Sequence, residues 1–241
     1  MKEIELLPVE RGRTWLPISY NGSTTRIFFP PVQETHQEAF AAIGDDKELT
    51  PAQGLDLALI AHGAYNGKDS IWEYIKQNAF FNHNTRSPTV NTWIPKGKIE
   101  GDDSLSGVLV QKDLNGKGLT SKVNIPDLAK FKQNASGLYV SQDSIFVPSY
   151  KYKLGEHTAE SFSKDGFTIA TLTPEGAELF AKTAVDTGKT PHTLGIDINT
   201  IANPEKRVSV FKDSTWSLGL VGYYYDNSRF DFAFAVSASK N

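Results

Sequence analysis

The chain has 241 residues, a net charge of −3, 39% hydrophobic residues and 22% charged residues. That leaves room for one large domain or two small ones, with too little charge for a disordered chain and no basic excess of the kind nucleic-acid binders carry. There is no cysteine, which excludes disulfides, thiolate metal sites, cysteine nucleophiles and iron–sulfur clusters.

Residues 1–10 place acidic side chains and Pro8 inside their apolar stretch, so no secretory leader is expected. The longest apolar run elsewhere, residues 55–61, is far short of the roughly 20 residues that span a bilayer, and no membrane insertion is expected. Residues 14–20 and 24–29 flank Asn21-Gly22 and predict a hairpin ended by Pro30-Pro31. Residues 34–43 predict a short helix. Thr50-Pro51 suits a second helix start, with Ala52, Leu55, Ala58, Leu59 and His62 on one face and Gly63 as the stop. A third helix opens at Asp69 or Ser70, with Ile71, Trp72 and Ile75 as its apolar stripe.

From residue 85 the texture is β and loop. Residues 107–112 and 119–125 read as strands around a turn at 113–118. Asp113 and Asn115 imitate the start of a calcium loop, but Lys117 opposes a cation and Asn124 stands where a bidentate Glu is needed. A hairpin turn is therefore expected there. Polar residues 130–137 mark a boundary between an N-terminal region, 1–135, and a C-terminal region, 136–241. The N-terminal region has no assigned role and is either separate or integral to the core.

Short strands follow at 138–140 and 144–147, and residues 167–172 alternate like a strand. Thr173-Pro174 starts a helix running to about Val185, stopped by Gly188. Residues 207–211 form a strand. Residues 230–238 alternate Phe230, Phe232, Phe234 and Val236 against Asp231, Ala233, Ala235 and Ser237. Small residues on that second face predict a central strand packed closely by another element. The stretch between, 212–229, holds Trp216, Tyr223, Tyr224 and Tyr225 without clean punctuation.

Catalytic chemistry is sparse. His36, His62, His83, His157 and His192 form no HExxH pair, and no nucleophile elbow or phosphate-binding glycine loop is present. Asp45-Asp46 and Asp102-Asp103 lack the apolar company that raises a carboxyl pKa for acid catalysis. Neither an enzyme, a metal nor a cofactor is expected. The fold class expected from these elements is α+β, with short antiparallel sheets and a few helices.

Arg207-Val208, Trp216 and Ala233-Phe234-Ala235-Val236 resemble the C-terminal region of the C-type-lectin fold as it occurs in formylglycine-generating-enzyme-like proteins. That enzyme works through cysteines, so the resemblance implies a scaffold and not the activity. The Glu-Pro-Asn and Trp-Asn-Asp calcium motifs of sugar-binding lectins are absent as well. Variable proteins of diversity-generating retroelements, in their archaeal viral form, are the branch the chain is similar to. In that family adenine-directed mutagenesis cannot produce Lys, Glu, Gln, Met or Trp. Residues 214–239 contain no Lys, Glu, Gln or Met, although burial in a strand also disfavours these residues.

The resemblance implies a non-enzymatic receptor-binding protein with a variable segment at 214–231. Trp216 would be a fixed core anchor, with Leu218 and Leu220 also inward. Thr215, Ser217, Gly219, Val221, Tyr223 and Tyr224 would face a ligand, with Ser228, Arg229 and Asp231 adding polar specificity and Tyr225 in the core. It also implies a protein or glycan partner on a host or neighbouring surface, no nucleic acid, and a place at a virion or cell exterior after cytoplasmic synthesis. Two alternatives stand beside it. One is a virion assembly protein with the aromatic tail as an interface. The other is a metal-dependent enzyme centred on Glu156, His157 and Glu160.

Overall fold

The computed structural model describes residues 4–6, 14–225 and 228–238. Most of residues 1–10, read above for a leader, and positions 226, 227 and 239–241 of the tail lie outside the described residues. β1 (Ile4–Leu6) pairs antiparallel with β2 (Thr14–Tyr20), and β2 with β3 (Ser23–Gln33). The β2–β3 turn is the expected one: Asn21 and Gly22 take φ of 50° and 78°, left-handed values that Asn-Gly tolerates. β3 runs past the expected stop at Pro30-Pro31, because its far end pairs with the chain's last strand.

α1 (His36–Asp45) is capped by Thr35, whose side chain accepts from the Glu38 backbone N–H. No helix starts at Thr50. Leu49–Pro51 is instead a strand, β4, and the Ala52 N–H donates to the Phe234 carbonyl at 2.9 Å. α2 (Leu55–Asn66) begins later and continues through Gly63. A Cβ at Gly63 would lie 2.5 Å from the Trp72 ring, so this glycine serves packing and not termination. α3 (Ser70–Ile75) runs on into a π-helical turn, Lys76–Asn82.

β5 (Thr85–Ile94) is buried along its whole length, and β6 (Gly107–Lys112) pairs with it. The expected hairpin after β6 does not form, nor does the strand at 119–125. Asp113 turns inward: Oδ2 lies 3.0 Å from His36 Nε2, and Oδ1 accepts from the Gly118 N–H at 2.9 Å. Lys206 Nζ then donates to the carbonyls of Gly118 and Ser121 at 2.9 Å and of Lys122 at 3.2 Å. An ammonium thus takes up the carbonyls that a strand ladder would have used.

β7 (Lys132–Gln133), β8 (Tyr139–Ser141), β9 (Ser144–Pro148) and β10 (Gly155–Glu156) are short. α4 (Ala159–Lys164) precedes α5 (Gly166–Asp186). The strand expected at 167–172 is the first part of α5. Asp165 Oδ1 accepts from the N–H groups of Phe167 and Thr168, both at 3.0 Å, and this cap decides for helix. Thr173, at φ 67°, interrupts α5 and accepts from the Gly176 N–H, so the expected cap operates inside the element.

β11 (Thr190–Leu194), β12 (Glu205–Asp213), β13 (Ser217–Tyr224) and β14 (Phe232–Ser237) complete the chain. The sheet order is β1-β2-β3-β14-β5-β12-β13-β11-β10, with β6, β9, β8 and β7 branching from β5. The fold is sheet-dominated α+β. β14 is central, as its alternation predicts. Strands from both sides of residue 135 alternate in this one sheet.

The main core lies on one face, where Phe232 and Phe234 join Trp72, Phe80, Trp93, Phe167 and Phe180. The opposite face of β14 carries Ala233 and Ala235, whose small side chains let Ala39, Phe40 and Ile43 of α1 pack closely. Burying these aromatics is the principal stabilising term, at about 25 cal/mol per Å² of apolar surface.

His157 is 6% exposed, with Nε2 at 2.8 Å from Thr193 Oγ1 and 3.1 Å from the Lys153 carbonyl. Burial holds its pKa below the ordinary 6.5. The unfolded chain therefore binds the proton first. The stability His157 contributes is full above about pH 6.5 and is lost as pH falls through its depressed value. Urea midpoints taken at about pH 7.5 and about pH 5.5 should show a larger acid loss for wild type than for His157→Gln. Equal losses would contradict this.

Candidate binding trough on the outer face of the tail strands

β12 and β13 are joined by a tight turn at Ser214, Thr215 and Trp216. The Ser214 N–H donates to the Ser217 carbonyl at 2.8 Å, and the Ser217 N–H donates to Ser214 Oγ at 3.0 Å. Lys189 Nζ donates to the Ser214 carbonyl at 2.6 Å, and the Thr190 N–H to the Trp216 carbonyl at 2.9 Å. These bonds hold the two ends of the turn, and the Trp216 side chain projects from the tip, 80% exposed. The expected core anchor is thus a surface residue, because a side chain at the apex of a turn cannot reach either sheet face.

β13 alternates as expected beyond the turn. Leu218 and Leu220 are fully buried in the main core. Gly222 shares their side: a Cβ there would meet the Phe167 ring at 2.3 Å. Ser217, Gly219, Val221 and Tyr223 take the opposite face. His192 of β11 and Lys212 of β12 are both in register with Gly219. Three neighbouring strands therefore present His192, no side chain, and Lys212 in a row, a notch about 10 Å wide between backbones.

The notch is part of a groove of about 320 Å³, bordered also by Leu194, Ser214, Ser217 and Val221. A second hollow of about 280 Å³ shares Leu194, Lys212 and Val221 with it and reaches Tyr223, Tyr225 and Asn84. Together they form one trough. Tyr225 was expected in the core, but it is 60% exposed. The Arg207 guanidinium lies 4.3 Å from its ring centre, and Arg207 Nη2 donates to its hydroxyl at 3.0 Å, which holds the ring on the surface.

Of the other expected ligand residues, Tyr224 borders the second hollow, whereas Asp231, Ser228, Arg229 and Thr215 do not line the trough. Asp231 is 1% exposed: Oδ1 accepts from the Asn84 N–H at 3.1 Å and Asn84 Nδ2 at 2.8 Å, and Oδ2 lies 3.6 Å from buried Arg86. A carboxylate sealed among these donors positions the chain and cannot meet a ligand. Ser228 is half-buried, its carbonyl accepting from Arg86 Nη2 at 2.6 Å. Arg229 is exposed but faces Glu34 and Glu38 of the α1 region, at 3.5 and 3.1 Å. Tyr224 is half-buried; burial and the nearby Asp231 carboxylate raise its phenol pKa. Thr215 is exposed at the turn.

His192, Leu194 and Lys212 were missed as site residues. The alternation Thr190, His192, Leu194 was the available signal, and two turn-forming neighbours, Gly188 and Gly195, masked it. The Glu156, His157, Glu160 cluster does not converge. His157 faces Thr193 and Lys153, and Glu160 pairs with Lys164 at 2.7 Å. Among the described residues no three His, Asp or Glu side chains gather at one point. Hollows elsewhere, of about 370 Å³ beside Tyr20 and His62 and about 260 Å³ beside Tyr152 and Asp197, lack the exposed aromatic border of the trough.

No protein-family model matches the chain, and no curated protein matches it. Among solved structures, the chain is similar to one described as accommodating massive sequence variation in Nanoarchaeota by the C-type lectin fold. The two are 11% identical, with a TM-score of 0.49 over 86% of this chain and 94% of that one.

The outward positions are not equivalent. A Cβ at Gly219 would lie 2.8 Å from the His192 carbonyl oxygen, so this position cannot vary freely as expected. Gly219→Ser should lower stability by about 1–3 kcal/mol through overpacking against β11. Thr215→Ala should stay within about 0.5 kcal/mol. Chemical denaturation measures both, and a tolerant Gly219 would contradict the notch geometry.

Proposed function

We propose that the protein is a non-enzymatic binding protein, a frame of the C-type-lectin kind that presents the trough and its aromatic border to a macromolecular ligand. The observation that carries this is the pair of exposed tyrosines bordering the trough, Tyr223 at 39% and Tyr225 at 60% exposed, with Phe230 and Trp216 exposed elsewhere on the tail. Large apolar side chains held rigidly at the surface mark contact sites. Tyrosine combines a wide contact face, few torsions to freeze and a bonding hydroxyl.

The absence of an assembled relay supports a binding role over catalysis. His192, Ser214, Ser217 and Asp213 all border the groove. The two hydroxyls face each other at 2.9 Å, and the Asp213 carboxylate is held by Lys189 at 2.6 Å. Among the described residues no hydrogen bond joins His192 to either serine. A nucleophile needs that bond to its base.

Diversification by a retroelement suits the outward positions Thr215, Ser217, Tyr223 and Tyr225, and the absence of Lys, Glu, Gln and Met over 214–239 supports it. Related genes should then differ chiefly at these four positions while keeping Gly219, Gly222 and Asp231. A template copy differing at adenines should lie beside the gene. Substitutions spread evenly along the chain, with no such copy, would end this part of the proposal. For binding itself, Tyr225→Ala should weaken capture of a selected ligand by about 2 kcal/mol with an unchanged melting temperature. Full affinity in a Tyr223→Ala, Tyr225→Ala double variant would contradict the trough as the binding surface.

A further inference from the structure

We infer that the notch over Gly219 receives a carboxylate, and that the trough's occupant is an acidic, aliphatic-flanked segment of a protein partner. This rests on the proposal that the trough binds a ligand, and it adds the ligand's chemistry. Charge pairing around the tail is the first observation. Arg207 is paired with Glu205, Lys189 with Asp213, Arg86 with Asp231, and Arg229 with Glu34 and Glu38. Lys212 is exposed at the notch wall and, among the described residues, has no carboxylate partner. Among the described cations of β12, Arg207 is ion-paired, Lys206 is held by three carbonyls, and Lys212, beside the bare rung at Gly219, is in no ion pair.

Hydrogen-bonding polarity is the second observation. Around the notch, Lys212, the His192 ring and the Ser217 hydroxyl can donate to an anion, while the Ser214 hydroxyl is bonded to Ser217. Among the described residues lining the groove the one carboxylate, Asp213, is 3% exposed and committed to Lys189, and exposed Glu156 stands one strand further out, in register with His192. Leu194 and Val221 supply apolar contact between the donors and the tyrosines. At the tyrosine end, Asn84 is 5% exposed and its Oδ1 has no donor. A backbone N–H of an extended segment would satisfy it.

These features favour a peptide over an acidic glycan. Leu194 and Val221, which line both hollows, ask for apolar contact that aliphatic side chains supply and hydroxyl-covered sugar rings do not. A carboxylate side chain flanked by aliphatic residues matches the order donor notch, apolar floor, buried acceptor. Two strand spacings, about 10 Å, leave room for one extended chain and not for a helix.

The test is selection from a random peptide display library against the full chain, repeated with Lys212→Glu. Asp or Glu between aliphatic residues should dominate the wild-type pool and disappear from the variant pool. A selected peptide should bind about tenfold more weakly to Lys212→Ala or Lys212→Gln, and equally so when its acid becomes an amide. Combining both changes should cost no more than either alone, which a merely destabilised variant would not reproduce.

Peptides that depend on Tyr225 but show no acid preference and ignore Lys212 would overturn the carboxylate inference and leave the trough standing. Peptides indifferent to both Tyr225 and Lys212 would overturn the binding surface itself. An oligogalacturonate that binds in a Lys212-dependent way, where acidic peptides do not, would overturn the peptide assignment.

Discussion

The contact of Trp93 and Phe167 with the bare backbone at Gly222 fixes the rest of the tail. Trp93 Nε1 donates to the Gly222 carbonyl at 2.8 Å, and Asn91 Nδ2 donates to the same oxygen at 3.0 Å. The Trp93 and Phe167 rings occupy the space where a side chain at 222 would sit. Two donors on one carbonyl and two rings against one Cα leave β13 a single register and a single face toward the core. Leu218 and Leu220 then point inward by alternation, and Ser217, Gly219, Val221 and Tyr223 point out. A slip of one residue would bury Tyr223 and expose the leucines.

Charge does the corresponding work at the other end of the tail. Asp231 and Arg86 are both buried, and Asn84 joins them through two hydrogen bonds to the carboxylate. Removing one member of such a group leaves the other charge buried and uncompensated, which costs far more than the pair contributes. Ser228 and Asp231 are thereby tied to Arg86 and Asn84 just before β14. A binding face made of outward side chains gains from this division, since those side chains can change without disturbing what holds the strand.

Much of the frame was legible in the sequence. The Asn21-Gly22 turn, the β6, β9 and β12 strands, and the Phe/Ala alternation of β14 all follow from local rules of turn chemistry and period. Most of the misreadings are local signals overruled by another contact, in two cases by a partner distant in sequence. Thr50-Pro51 looks like a helix start, but β14 captures it as a strand. Residues 167–172 alternate like a strand, but the Asp165 cap and the packing of Phe167 on Trp93 make them helical. Residues 119–125 have strand-like composition, but Lys206 holds the carbonyls of their neighbourhood. For the site, period two correctly separated Leu218 and Leu220 from Ser217 and Tyr223. It could not place Trp216 or Tyr225, because a turn apex and a strand end have no period. His192 and Lys212 enter the trough only through strand pairing, which no local pattern encodes.

The central claim is that one strand divides its labour by face. A saturation scan of residues 214–231 in the full chain, with protease resistance and ligand capture read separately, tests it most directly. Substitutions at Leu218, Leu220, Gly222 and Asp231 should destroy protease resistance. Those at Ser217, Tyr223 and Tyr225 should leave resistance intact and change capture alone. Loss of resistance at Tyr223 and Tyr225, with tolerance at Leu220 and Gly222, would contradict the assignment of the two faces.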